Sequence, residues 1–136
     1  LRGKAEAMEF TAKERRFLEA NEVCRLATVY PDGRPHVVPV NCIFRDGLFY
    51  IATDYETRKL RNIQLNNRVA LVVDQYRPNR AVLIGGEASV IERGPEFKEI
   101  YGLFHRRFAW VRQDPWDEGE APFIAIRPVT KVSWGL

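Results

Sequence analysis

The segment Ala52-Thr53-Asp54-Tyr55-Glu56-Thr57-Arg58-Lys59 concentrates the residues best equipped for chemistry. It sets a hydroxyl at the end of an apolar run, a short loop, and two adjacent cations where a helix is expected to begin. The start of a helix carries unpaired backbone amides and partial positive charge, so an anion is accommodated there. Arg58 can grip an anion with a planar fork and Lys59 with a point charge, a combination suited to a phosphate monoester. Thr53 and Thr57 can add hydrogen bonds. The competing reading is a solvated surface helix. Two cations in a first turn oppose the helix dipole, which weighs against it.

Other reactive side chains are sparse. His36 follows Pro35 on an expected strand, where hydrogen bonding at a strand edge is the simpler role. His105-Arg106-Arg107, with Lys98 and Arg112 nearby, is either an anion site or the solvated face of an amphipathic helix, and the apolar period favours the face. Two histidines without a Cys or carboxylate cluster at ligand spacing give no metal site. Cys24 and Cys42 sit inside apolar runs, where a buried free thiol is the default. Ser89 and Ser133 lack a nucleophile-elbow context, and Gly85-Gly86 is too short for a phosphate loop. No residue presents itself as a general acid or base. Trp110, Trp116 and Trp134 suit a buried interface better than base stacking.

The elements that must position these groups follow from periodicity and turn chemistry. Thr11-Ala12-Lys13-Glu14 is a capping box opening a helix over residues 11–20. Val23 to Tyr30 alternates as a half-buried strand, and Pro31-Asp32-Gly33 turns it into a second from Pro35 to Phe44. Asp46-Gly47 signals a hairpin into a third strand, Leu48 to Thr53. Thr57 caps a helix to about Leu65. A fourth strand runs from Val69 to Tyr76 and a fifth from Ala81 to Ile91, with Gly85-Gly86 marking a bulge or close backbone approach. Gly94-Pro95 opens a third helix whose Phe97, Ile100, Tyr101, Phe104 and Phe108 share one face. Residues 113–121 read as a loop, and Phe123 to Trp134 as the sixth strand. The expected fold class is mainly β: a six-stranded antiparallel barrel with short helices.

With 136 residues, 21 Lys plus Arg and 18 Asp plus Glu, the chain has a net charge of +3 and the size of one domain, 1–136. Its 46% hydrophobic and 29% charged residues exclude disorder and collagen-like repeats. The charge is too small to imply nucleic acid by itself, and no stretch approaches the roughly 18 apolar residues of a membrane span. The absence of a signal-peptide pattern points to a reduced, cytoplasmic setting.

Gly33-Arg34-Pro35-His36-Val37-Val38-Pro39-Val40, Phe49-Tyr50-Ile51-Ala52-Thr53, Thr57-Arg58-Lys59 and Asn67-Arg68-Val69-Ala70-Leu71-Val72-Val73-Asp74 follow one another in an order and spacing that resembles the pyridoxamine 5′-phosphate oxidase-like flavoproteins. The resemblance runs from about Phe17 to Trp134. It implies an FMN-binding split barrel that pairs as a homodimer, with a flavin in each cleft between subunits. By the same resemblance, Val37, Val38, Pro39 and Val40 would run beside the ring. Ala52, Thr53, Thr57, Arg58 and Lys59 would hold the phosphate end.

Departures from the family pattern narrow this. Oxidases of pyridoxamine phosphate carry a basic residue where this chain has Val40, and a basic, His-containing motif where it has Ser133-Trp134-Gly135-Leu136. The expectation is therefore not vitamin B6 oxidation. It is an oxidoreductase using FMN, or alternatively a deazaflavin coenzyme, to move a hydride to or from a small organic substrate. A flavin or haem carrier on the same barrel is the first alternative, and a nucleic-acid-binding barrel a more distant one.

Overall fold

The computed structural model of the protein describes residues 8–136. The capping box forms as expected. The Thr11 hydroxyl accepts from the Glu14 amide at 3.1 Å, and the Glu14 carboxylate accepts from the Thr11 amide at 2.9 Å. Helix α1 then runs Ala12–Ala20. Seven strands follow in one antiparallel sheet: β1 (Val23–Val29), β2 (Pro35–Asn41), β3 (Ile43–Arg45), β4 (Leu48–Ala52), β5 (Arg68–Tyr76), β6 (Asn79–Ile91) and β7 (Phe123–Trp134). Their spatial order is β2-β1-β5-β6-β7-β4-β3.

The expected count of six strands is corrected to seven, because the run from Pro35 to Phe44 breaks at Cys42. Its first part pairs with β1 and its last part with β4, and these partners lie toward opposite ends of the strand order. One residue therefore joins the two edge strands. Laid flat, seven strands would hold those edges on the order of 30 Å apart. The sheet must curl until they meet, which makes it a split barrel.

Local chemistry explains the turns. Asp46 and Gly47 both have positive φ, 52° and 81°, as a two-residue hairpin of the I′ type requires. The Gly85-Gly86 pair serves both purposes read from the sequence. The β6–β7 register shifts between them, so that Gly85 faces Thr130, Gly86 faces Pro128, and Val129 is the extra residue. A Cβ on Gly86 would lie 2.8 Å from the Arg127 carbonyl oxygen, whereas one on Gly85 would meet only the Thr130 hydroxyl, at 2.5 Å. A hydroxyl can rotate away; a strand carbonyl cannot. Gly86→Ala is expected to destabilise the fold by about 1–2 kcal/mol, and Gly85→Ala by less, in urea unfolding.

Alternation along the strands divides the core in two. Phe49 and Ile51 of β4 and Ile124 and Ile126 of β7 point into the barrel with Leu26, Leu71 and Ile84. The intervening Tyr50, Phe123 and Ala125 point outward, where the apolar face of α3 (Gly94–Arg107) covers them with Phe97, Ile100 and Phe104. A short α4 (Ala109–Gln113), not foreseen in the sequence, follows and buries Val111. At the basic end of α3, Arg107 and Arg112 are held by the scaffold, while the His105 and Arg106 side chains are exposed. Arg107 Nε donates to Glu22 at 3.1 Å, and Arg112 Nη1 donates to the carbonyls of His105 and Arg106. Among the described residues, Cys24 and Cys42 are free and buried, no group of His, Cys, Asp or Glu is placed to hold a metal ion, and no helix is long and apolar enough to cross a membrane.

Candidate functional site

Strand β4 ends at Ala52, and residues 53–57 lead into α2 (Arg58–Leu65). Thr57 caps that helix, its hydroxyl accepting from the Leu60 amide at 3.4 Å. Buried Thr53 lies with its Oγ1 2.8 Å from Thr57 Oγ1, and both hydroxyls reach the Asp54 carbonyl, at 3.2 and 3.1 Å. One hydroxyl proton can bridge the pair while the other goes to the carbonyl. Helix geometry leaves the amides of Arg58 and Lys59 without intrahelical partners. Hydroxyls, open amides and a lysine thus meet at one helix start.

That corner is one wall of a cleft of about 450 Å³, within the range of small-molecule sites. Ala52, Thr53, Asp54, Thr57 and Lys59 line it on one side; Trp110, Asp114, Pro115, Trp116, Glu120 and Ala121 line it on the other. The Trp110 and Trp116 rings stack 6.0 Å apart at 10°. Their N–H groups are already used, by Asn41 Oδ1 at 3.0 Å and the Ala121 carbonyl at 3.1 Å, so they bring apolar ring surface to the cleft rather than donors. Burial pushes the Lys59 ammonium below its ordinary pKa, and the nearby Asp54 carboxylate offsets this only in part. The Asp114 and Glu120 carboxylates are exposed to water at the rim, where solvent screens them.

The expected site is only partly assembled within this cleft. Ala52, Thr53, Thr57 and Lys59 are brought together. Arg58 leaves its neighbour: successive helical residues diverge by about 100°, and its guanidinium lies 5.0 Å over the Tyr30 ring. On β2, Val38 and Val40 are half-buried and Val40 packs on the barrel core, whereas Val37 and Pro39 face outward. This stretch does not line the cleft, though Asn41 at its end holds Trp110. Trp110 and Trp116 are the wall that sequence reasoning assigned to an interface. They stand on α4 and the following loop, whose course no periodicity reveals. Trp134 lies elsewhere, donating to Asn79 Oδ1 at 3.0 Å.

A curled antiparallel sheet closed through one bent strand, with a hydroxyl-lined helix start opening on an aromatic cleft, defines the split-barrel class. Residues 10–130 match the family model described as pyridoxamine 5′-phosphate oxidase, and the chain belongs to that family. Over 96 residues, 64% of this chain and 68% of the relative, it is 40% identical to a 5a,11a-dehydrotetracycline/5a,11a-dehydrooxytetracycline reductase of Streptomyces rimosus. The haem storage protein HutZ of Vibrio cholerae superposes with a TM-score of 0.78 at 16% identity, over 93% of this chain and 94% of that one. A FAD-binding protein of Mesorhizobium loti superposes with a TM-score of 0.72 at 22% identity, over 91% and 94%. At these identities the two structures share the fold.

Proposed function

We propose that the protein is a flavin-dependent oxidoreductase. Its phosphate-bearing cofactor, FMN or alternatively a deazaflavin coenzyme, would lie with its anionic end at the start of α2. The observation that carries this reading is the convergence of Thr53, Thr57 and Lys59, at the start of α2, on one cleft that Trp110 and Trp116 also line. The open amides and the Lys59 ammonium suit a phosphate, since each donates a hydrogen bond or carries positive charge, and a threonine hydroxyl could serve it only by turning its proton away from the Asp54 carbonyl. The reductase of Streptomyces rimosus supports redox chemistry, and the FAD-binding protein of Mesorhizobium loti supports a flavin. When bound, the flavin or deazaflavin supplies hydride transfer. The chain's own part is to anchor the phosphate, present apolar faces to a planar ring and limit water around it. Val40 in place of a basic residue argues against pyridoxamine phosphate as substrate.

A homodimer belongs to the same proposal. Pro39, Arg25, Val72, Leu83 and Val132 form a cross-strand row on the outer sheet face. Leu83 and Val132 are 40% and 57% exposed there, and Val37, on the next row, is 65% exposed. A second copy of the chain would cover this face and bring β2 toward a shared cleft. The fold likeness to HutZ keeps a haem carrier as the second reading, but neither His36 nor His105 lines the cleft.

The test is an absorbance and fluorescence spectrum of the purified protein, alone and after adding FMN or the deazaflavin. The expected result is a coloured dimer that loses its coenzyme when Arg58→Ala and Lys59→Ala are combined. A protein that binds neither coenzyme ends the reading, and a haem Soret band replaces it with the carrier.

A further inference from the structure

Arg58 makes no ion pair with a carboxylate among the described residues; its guanidinium lies over the face of Tyr30, 5.0 Å from guanidinium carbon to ring centroid. The ring also carries Arg34 at 4.5 Å, but that cation is already matched, its Nε donating to Asp32 at 2.9 Å. Tyr30 is itself well fixed. Its amide donates to the Arg34 carbonyl at 2.8 Å, its carbonyl accepts from the Gly33 amide at 2.9 Å, and His36 packs edge-on against the ring at 5.6 Å and 79°. A guanidinium stacked on an aromatic face gives up none of its in-plane N–H donors. The contact with Tyr30 therefore restrains the side chain without using any of its N–H groups in a hydrogen bond, and leaves its charge available.

From this geometry we infer that Tyr30 is a positioning residue that sets phosphate specificity. It restrains the guanidinium of Arg58, the first residue of α2, outside the cleft that Lys59 lines, so that a phosphate at the open end of the helix would meet Lys59 from the cleft and Arg58 from the Tyr30 side. The inference rests on the reading of that helix start as the flavin phosphate site. Tyr30 acts through Arg58 and has no part in holding the ring, so its removal should affect only ligands that carry the phosphate.

The test compares FMN with riboflavin, which lacks the phosphate, on the full chain and on Tyr30→Leu and Tyr30→Phe, with melting temperatures measured alongside. Tyr30→Leu is expected to weaken FMN about tenfold and leave riboflavin unchanged; Tyr30→Phe, which keeps the aromatic face, should retain the preference for FMN. Undiminished FMN preference in Tyr30→Leu overturns the proposal. So does an equal loss of both flavins with a fall in melting temperature, which marks a merely structural residue. If the wild-type chain binds neither flavin, the flavin reading fails, and inorganic phosphate becomes the probe. Its protection against heating should then drop in Tyr30→Leu and persist in Tyr30→Phe, and equal protection overturns the role assigned to Tyr30.

Discussion

Lys59→Ala is expected to weaken FMN binding by about ten- to a hundredfold while leaving riboflavin binding nearly unchanged. The magnitude is that of one charge-assisted hydrogen bond in a half-buried setting, about 1.5–3 kcal/mol. Lys59 is the only cation lining the cleft among the described residues. Its pKa adds a pH signature. Burial lowers the affinity of Lys59 for its proton, so the side chain loses its charge at a lower pH than an ordinary lysine. The preference for FMN over riboflavin should fall as pH rises through that lowered value. In Lys59→Arg, where the charge persists, the fall should disappear. Fluorescence titrations of both flavins across alkaline pH measure this, and an FMN preference that ignores both the Ala substitution and pH would place the phosphate elsewhere.

What the sequence revealed and what it hid divide along the reach of the interactions involved. Thr11 with Glu14, Asp46 with Gly47, and Thr57 ahead of α2 were legible because each is settled by residues a few positions apart. Gly85-Gly86 was legible too, since only a close approach or a bulge explains adjacent glycines inside an apolar strand. The break at Cys42 was not. Nothing in Val40-Asn41-Cys42-Ile43 says that the residues before it pair with β1 and those after it with β4; barrel closure decides that. Arg58-Lys59 was legible as a pair, but not the directions of its two side chains. Adjacent letters do not say that helical geometry sends one side chain to the Trp cleft and the other to Tyr30. The indole wall was hidden because Trp110 and Trp116 meet through α4 and an irregular loop, where pattern gives no direction.

The stability of the scaffold that holds this site should depend on acid through Glu14. Its carboxylate is buried against β7, where it accepts from Lys131 Nζ at 2.8 Å and Ser133 Oγ at 2.7 Å, besides the Thr11 amide. Burial alone would raise its pKa. The hydrogen bonds from Lys131, Ser133 and Thr11, with the Lys131 charge, outweigh that and hold it at about 2 against an ordinary 4.5. A carboxylate with a lowered folded-state pKa contributes stability at neutral pH, and that contribution is lost as pH falls from near 4.5 toward about 2. The size is on the order of 3 kcal/mol, enough to bring a small domain close to its unfolding threshold. Glu14→Gln keeps the shape but not the charge, and leaves Lys131 half-satisfied beside the Phe10 ring, 4.7 Å away. Urea unfolding at a series of pH values should show the wild type losing its advantage over Glu14→Gln through that acid window. A constant difference between the two down to pH 2 would mean that Glu14 works through shape and hydrogen bonding, without its charge.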